Sequence, residues 1–195
     1  MADGGSGLGL TIVKRLIEMM DGIISIRSMV GKGTEVSLRL KFKLANAASD
    51  KTDEGSAAKL RGRNVLVCED NYMNLEIVKN ILALAGVSVT CASNGQEGVD
   101  IFTRSTLNEY DAILMDLRMP VMNGYDAAKA IRELGRKDAA AVPIIALSAD
   151  AYDEDVRKSL DAGMNGHIAK PFTPQQLYEA LLAALQAVAH NNSQA

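Results

Sequence analysis

Between residues 63 and 188 the chain alternates short apolar runs with amphipathic stretches five times, and that rhythm narrows its fold more than any other feature. The apolar runs are NVLVC, VSVTC, DAILM, PIIALS and GHIAK. They are followed in turn by NLEIVKNILALAG, GQEGVDIFTR, GYDAAKAIRELG, YDEDVRKSLDAG and TPQQLYEALLAALQAVA. Five strand–helix pairs in succession predict an α/β domain, a five-stranded parallel doubly wound sheet with helices on both faces. In such a sheet ligands gather at the carboxyl ends of the strands.

The chain before residue 63 has a different character. GGSGLGLTIV reads as a glycine-rich loop running into a helix start that could receive an anion. Leu10, Val13, Ile17 and Met20 then fall at helical spacing, which predicts a helix from about Leu10 to Met20. Asp21-Gly22 ends it, and IISIRS and TEVSLRLKF read as two strands around a Gly31-Lys32-Gly33 turn, with Val36, Leu38, Leu40 and Phe42 on one face. One helix and one hairpin are too little to bury a core of their own. The predicted organisation is a helix-plus-hairpin piece over 1–43, a flexible Ala/Ser/Asp/Lys linker over 44–62, the α/β domain over 63–188 and a polar tail over 189–195.

Charge and cysteine content exclude several function classes. Residues 1–62 carry 10 Lys/Arg against 7 Asp/Glu, whereas 63–195 carry 11 against 17. An acidic main domain argues against a nucleic-acid partner, which would select a basic face. No apolar run approaches the roughly 20 residues that span a bilayer, and a start with glycines and Asp3 is no signal peptide, so the expected location is cytoplasmic. Cys68 and Cys91 sit in separate apolar runs without metal-ligand spacing and read as buried reduced thiols. His167 and His190 are the only histidines.

The chemistry-bearing residues fall at the strand ends. Glu69 and Asp70 follow the first strand, Asp116 the third, Ser148 ends the fourth and Lys170 the fifth. A single aspartate at such a place is more often a helix cap. The conjunction is more specific, because neighbouring carboxylates repel unless a cation joins them. Mg2+, a hard ion with oxygen ligands, suits that need. A carboxylate nucleophile, a metal, a lysine and a hydroxyl are together the parts needed to accept a phosphoryl group.

VLVCEDNYMN, DAILMDLRMPVMNGYDA, PIIALSA and MNGHIAKPF, in this order, resemble the motifs of response-regulator receiver domains over about residues 63–188. The resemblance implies a flavodoxin-like fold and a two-component phosphorelay function. By it Asp116 is the phosphoacceptor, and Glu69, Asp70, Asp116 and the backbone carbonyl of Arg118 form the Mg2+ set, Glu69 through water. Ser148 and Lys170 then hold the phosphoryl oxygens. The donor it implies is a phosphohistidine, on a kinase's own histidine domain or on a phosphotransfer protein, and it leaves room for a dimer through the receiver. His167 stands where receivers commonly carry the Tyr or Phe that swings inward on phosphorylation, and is either a planar substitute in that switch or an ordinary strand residue. Arg118 and Asp150 either bear on water's access to the phospho-aspartate or are ordinary solvated side chains. Met119, Met122 and Met164 read as packing residues. YDEDVRKSLDAG, anchored only by Tyr152, Val156 and Leu160, is the helix expected to shift, against a last helix with Leu177, Leu181, Leu182, Leu185 and Val188.

GGSGLGLTIVKRLIEMMDGIISIRSMVGKGTEVSLRLKF resembles the end of the ATP-binding domain of sensor histidine kinases, and the whole order resembles a hybrid histidine kinase. That resemblance implies Gly5, Gly7 and Gly9 as a vestigial ATP loop. The rest of an ATP site would precede Gly4 and no histidine precedes His167, so neither ATP binding nor autokinase activity is expected of this chain alone; receiver self-phosphorylation and autodephosphorylation remain. An aspartate-nucleophile phosphatase would need a second acid two residues after Asp116, where Arg118 stands. A nucleotide-binding protein fails on the missing half-site, and a binding-only receiver is disfavoured because every expected acidic and basic position is filled.

Overall fold

The computed structural model describes residues 8–41, 50–149 and 153–192. The chain divides into two compact units, Met1–Ala47 and Ala48–Ala195.

In the first unit, α1 (Leu8–Met19) is followed by the antiparallel hairpin β1 (Ile23–Met29) and β2 (Gly33–Arg39). Gly22 sits where the chain turns from helix to strand, and a Cβ there would press on Ile17 and Leu40. The hairpin turn falls on 30–32, one residue earlier than expected, with Lys32 N–H donating to the Met29 carbonyl. Among this unit's residues whose side chains are described, Ile17 is the one buried apolar side chain; Leu10, Val13, Met20, Val36 and Leu38 are all exposed. One helix on a two-stranded ribbon leaves the other apolar faces uncovered. Phe42 lies outside the described residues.

The second unit is built on a five-stranded parallel sheet in the order β4-β3-β5-β6-β7, formed by β3 (Asn64–Cys68), β4 (Ser88–Ala92), β5 (Ala112–Asp116), β6 (Ile144–Ser148) and β7 (Gly166–Ala169). Central β5 and β6 are buried at every position, and β3 at all but its first, while edge strands β4 and β7 are half-buried. The strands' period-two alternation sorts their side chains between two cores. Leu66, Cys68, Ile113, Met115, Ile144 and Ala146 face one side, packed under α4 (Gly95–Arg104), α5 (Gly124–Arg132) and the short α6 (Lys137–Ala141). Val65, Val67, Ala112, Leu114, Ile145 and Leu147 face the other, against α3 (Tyr72–Leu84) and α8 (Pro174–Asn192). Asparagines cap three helices: Asn71, Asn94 and Asn123 each accept main-chain N–H groups from the first turn of α3, α4 and α5.

Four expectations change. Residues 50–60 of the expected linker form α2 (Asp50–Leu60), which packs on α8; Leu60 is 1% exposed in the core with Ala57 half-buried beside it. DKTDEGSAAKL has too few apolar residues to show a helical stripe, and two at i and i+3 suffice because neighbouring elements supply the rest of the pocket. The expected tail is shorter, since α8 runs to Asn192. On α7 (Asp153–Asp161), Leu160 is no anchor: it is 59% exposed, Val156 is half-buried, and Ser159 is the buried residue among those described, with its hydroxyl on the Asp155 carbonyl. Tyr152 lies outside the described residues. Cys91 is half-buried, unlike Cys68. Burial pushes the Cys68 thiol up to about 12, with Glu97 adding to the effect, so it is inert as a nucleophile.

Candidate functional site

In this strand order the chain leaves β3 toward β4 on one side and crosses to β5 on the other. The carboxyl ends of β3 and β5 therefore border a topological switch point, the place where open α/β sheets form a crevice. Glu69 and Asp70 leave β3 there, and Asp116 is the last residue of β5. One carboxylate oxygen from each of Glu69, Asp70 and Asp116 lies within 4.8 Å of the others, with Glu69 and Asp116 buried and Asp70 exposed.

Lys170, delivered by the end of β7, joins the two buried acids. Its Nζ donates to Glu69 Oε2 at 2.6 Å and to Asp116 Oδ2 at 2.8 Å, across 101 and 54 residues of sequence. Burial alone would lower the lysine's pKa, but its hydrogen bonds and attraction to Asp116 and Glu69 outweigh that and hold it raised. Burial pushes Glu69 up, against the lowering effect of Lys170 and Asn74. Three acids against one lysine leave an excess of negative oxygen donors, which is the donor chemistry of a hard divalent cation.

The turns around the acids are tightly specified. The Arg118 main-chain N–H donates to Asp116 Oδ1 at 3.2 Å. Gly124, opening α5, packs so closely on the Asp116 carbonyl that no Cβ fits. Asn74 and Asn71 were not among the expected site residues. Asn74 Nδ2 donates to Glu69 Oε1 at 3.0 Å, and the Asn71 main-chain N–H reaches the same oxygen at 3.3 Å. The signal was present in the spacing: a capping asparagine two residues after Glu69 starts α3 so that its first turn leans over the acid.

Ser148 ends β6, beside the end of β5, where Asp116 pairs with Leu147. The Ser148 hydroxyl lies 2.7 Å from His167 Nε2, while the Lys170 main-chain N–H donates to the Ser148 carbonyl. A cis peptide joins Lys170 to Pro171. Beside Lys170 a largely apolar recess of about 310 Å3 is lined by Ile77, Val78, Ala149 and Phe172 among others. Met119 and Met164 are buried in the core under α4 and α5, and Met122 is partly buried against the same core. Gly5, Gly7 and Asp150 lie outside the described residues, and Gly9 falls within the first turn of α1 rather than in a loop.

Residues 65–182 match the response regulator receiver domain. The chain belongs to the response regulator receiver domain family. Residues 1–44 of this receiver-containing chain match the histidine kinase-, DNA gyrase B- and HSP90-like ATPase family. Across both parts the chain is 35% identical over 182 residues to the autoinducer 2 sensor kinase/phosphatase LuxQ of Vibrio vulnificus, covering 92% of this chain and 20% of that protein. It is 36% identical over 139 residues to hybrid signal transduction histidine kinase I of Dictyostelium discoideum, covering 70% of this chain and 8% of that protein. The chain thus spans a fifth or less of these two kinases. The receiver domain of the Pseudomonas aeruginosa sensor histidine kinase PA1611, solved with magnesium in its active-site cleft, shares 38% identity at a TM-score of 0.58, over 64% of this chain and 98% of that one. The Saccharomyces cerevisiae Ssk1 receiver, solved with the histidine phosphotransfer protein Ypd1, shares 34% at 0.57, over 63% and 88%. Among the described residues no helix is long and apolar enough to cross a membrane.

Proposed function

We propose that this receiver accepts a phosphoryl group from a phosphohistidine onto Asp116, as part of a hybrid histidine kinase relay on the cytoplasmic side, where ATP-derived phosphoryl groups originate. The observation that carries the reading is the contact of one buried lysine with both Glu69 and Asp116 at the switch point. A carboxylate so held is oriented and partly desolvated, ready for in-line attack. An oxygen of Asp116 forms a bond to phosphorus as the phosphorus–nitrogen bond of the donor breaks, and the departing imidazole nitrogen keeps the electron pair. Lys170 turns its ammonium from the carboxylate to the incoming phosphoryl oxygens, and Ser148 adds a hydroxyl donor. Arg118, through its main-chain N–H, keeps the second oxygen of Asp116 fixed. Glu69, Asp70 and Asp116, with the Arg118 carbonyl, would hold Mg2+, which when bound neutralises charge on the transferring oxygens.

The test is intact-mass measurement after incubation with Mg2+ and acetyl phosphate. Wild type should gain one phosphate and Asp116→Asn none; a gain at the same site in the variant would sink the assignment. An ATP titration monitored by calorimetry reads the first unit separately, and no heat is expected.

A further inference from the structure

The two ends of α7 are held by different means. Beyond its carboxyl end the chain is clamped by Arg132, the last residue of α5, which donates from Nε to the Gly163 carbonyl at 2.9 Å, from Nη1 to the Ala139 carbonyl at 2.6 Å and from Nη2 to Asn165 Oδ1 at 2.7 Å. The Asn165 main-chain N–H donates to the Ile144 carbonyl at the start of β6, and Ala162 and Met164 are buried. Nearer the amino end, the Tyr125 hydroxyl reaches across from the second residue of α5 and donates to Asp155 Oδ1 at 3.2 Å. The Tyr125 ring is partly buried against the core under α4 and α5. Burial, and then the Asp155 carboxylate, push the phenol above its ordinary pKa, so it keeps its proton and is the donor. Around this contact α7 is polar: Glu154, Arg157 and Lys158 are exposed and Val156 is half-buried.

Tyr125 is also one residue from the candidate site. Gly124 abuts the Asp116 carbonyl with no room for a Cβ, and its N–H donates to the Leu117 carbonyl at 3.2 Å. The loop from Asp116 to Gly124 is therefore closed on itself, and a displacement of the Asp116 main chain carries the first turn of α5 with it. We infer that the Tyr125–Asp155 hydrogen bond is a latch that ties the amino-terminal half of α7 to the phosphoacceptor, and that it is released when Asp116 carries a phosphoryl group. This rests on the reading of Asp116 as acceptor. Attachment of phosphorus turns one carboxylate oxygen into the bridging oxygen of an acyl phosphate and moves the negative charge outward, so the loop that the Arg118 N–H ties to Asp116 Oδ1 has to readjust. A hydroxyl-to-carboxylate bond is ordinarily about 2.5–3.0 Å long, and one at about 3.6 Å no longer holds. At 3.2 Å the latch is already long, and a sub-ångström shift of α5 is enough to part it. With the latch open, α7 pivots on the end clamped by Arg132.

Residue-resolved amide hydrogen exchange on the full chain tests this. The amides of Arg157, Lys158 and Ser159 report on α7, because their helical acceptors lie in its first turn. Tyr125→Phe keeps the ring and removes the hydroxyl, and loss of one hydrogen bond predicts about fivefold faster exchange at these amides, with Asn165 beyond the clamp unchanged. In an Asp155→Ala background, where the acceptor is already gone, Tyr125→Phe should add nothing. An equal acceleration in both backgrounds, or none in either, overturns the latch. Incubation of wild type with Mg2+ and acetyl phosphate should give a similar acceleration, and the Tyr125→Phe variant, once phosphorylated, should show little more. If phosphorylation accelerates exchange equally in wild type and variant, the site reaches α7 without Tyr125 and the coupling is refuted. Failure of wild type to take up phosphate refutes the reading of Asp116 and with it the release step, while the comparison of Tyr125→Phe with and without Asp155 still decides whether the contact restrains α7.

Discussion

Leu60→Ala tests whether α2, which the sequence led us to expect as linker, belongs to the receiver's folded core. Leu60 closes α2 and is 1% exposed against the α3 and α8 side of the sheet. The substitution removes three buried carbons, about 2.4 kcal/mol at about 0.8 kcal/mol each. A residual cavity adds to this, but the site lies at the end of a helix, where neighbours can settle inward. The expected loss is about 3 kcal/mol, toward the lower part of the range for buried leucines. For a unit of this size that is about 6–12 °C in Tm. Urea titration followed by far-UV circular dichroism measures it, with an unchanged m-value if only stability is affected. Ala58→Gly on the exposed face is the companion variant: in a formed helix it costs about 1 kcal/mol, and in a flexible linker it costs nothing. Lys59→Ala, exposed on the same helix, should stay within about 0.5 kcal/mol. If both Leu60→Ala and Ala58→Gly leave the midpoint unmoved, α2 is not docked and the linker reading was right. Phosphoryl uptake should be unaffected under native conditions, since Leu60 precedes the amino end of β3 and Asp116 lies at the carboxyl ends of the strands.

Lys170→Met leaves Glu69 and Asp116 without their shared cation, and removal of one partner from a buried ion pair predicts a loss of about 3 kcal/mol in Mg2+-free buffer; restoration of part of it by Mg2+ would show that a metal takes over the same charge, and an unchanged stability would refute the coupling. Arg136's hydrogen bonds hold Asp138 down from the ordinary 3.8 to about 2, against the upward push of burial. Because the folded value is depressed, the stabilisation is complete above about pH 4 and is lost as pH falls through about 2. It amounts to about 2 kcal/mol at neutral pH, so the acid-unfolding curves of wild type and Asp138→Asn should converge near pH 2, and parallel curves would count against the pair. Val121 is 85% exposed yet has φ of 69°, held in a tight turn by the Met122 N–H on the Pro120 carbonyl. A β-branched residue is strained there, so Val121→Asn should gain about 1 kcal/mol, visible as a raised Tm; a drop would mean that the turn is held by contacts of the valine itself.

By itself the sequence determined the alternation of strands and helices and the residue at each strand end. Both are local: a period of two in VLVC or AILM places one face on each core, and asparagine caps start helices from their own side chains. It also carried the shortfall of the first unit, because too few elements were present to cover Val36 and Leu38. Only the tertiary structure decided what depends on partners far along the chain. Lys170 meets Glu69 because β7 and β3 flank β6 and β5 in one sheet, which no local pattern encodes. Residues 50–60 form a helix because α8 and the β3 side offer Leu60 a pocket, whereas their own composition favours solvent. Leu160, apolar and at helical spacing, stays exposed because α7 turns its Ser159 inward, and amphipathic spacing alone does not say which side of a short, polar helix the core will accept.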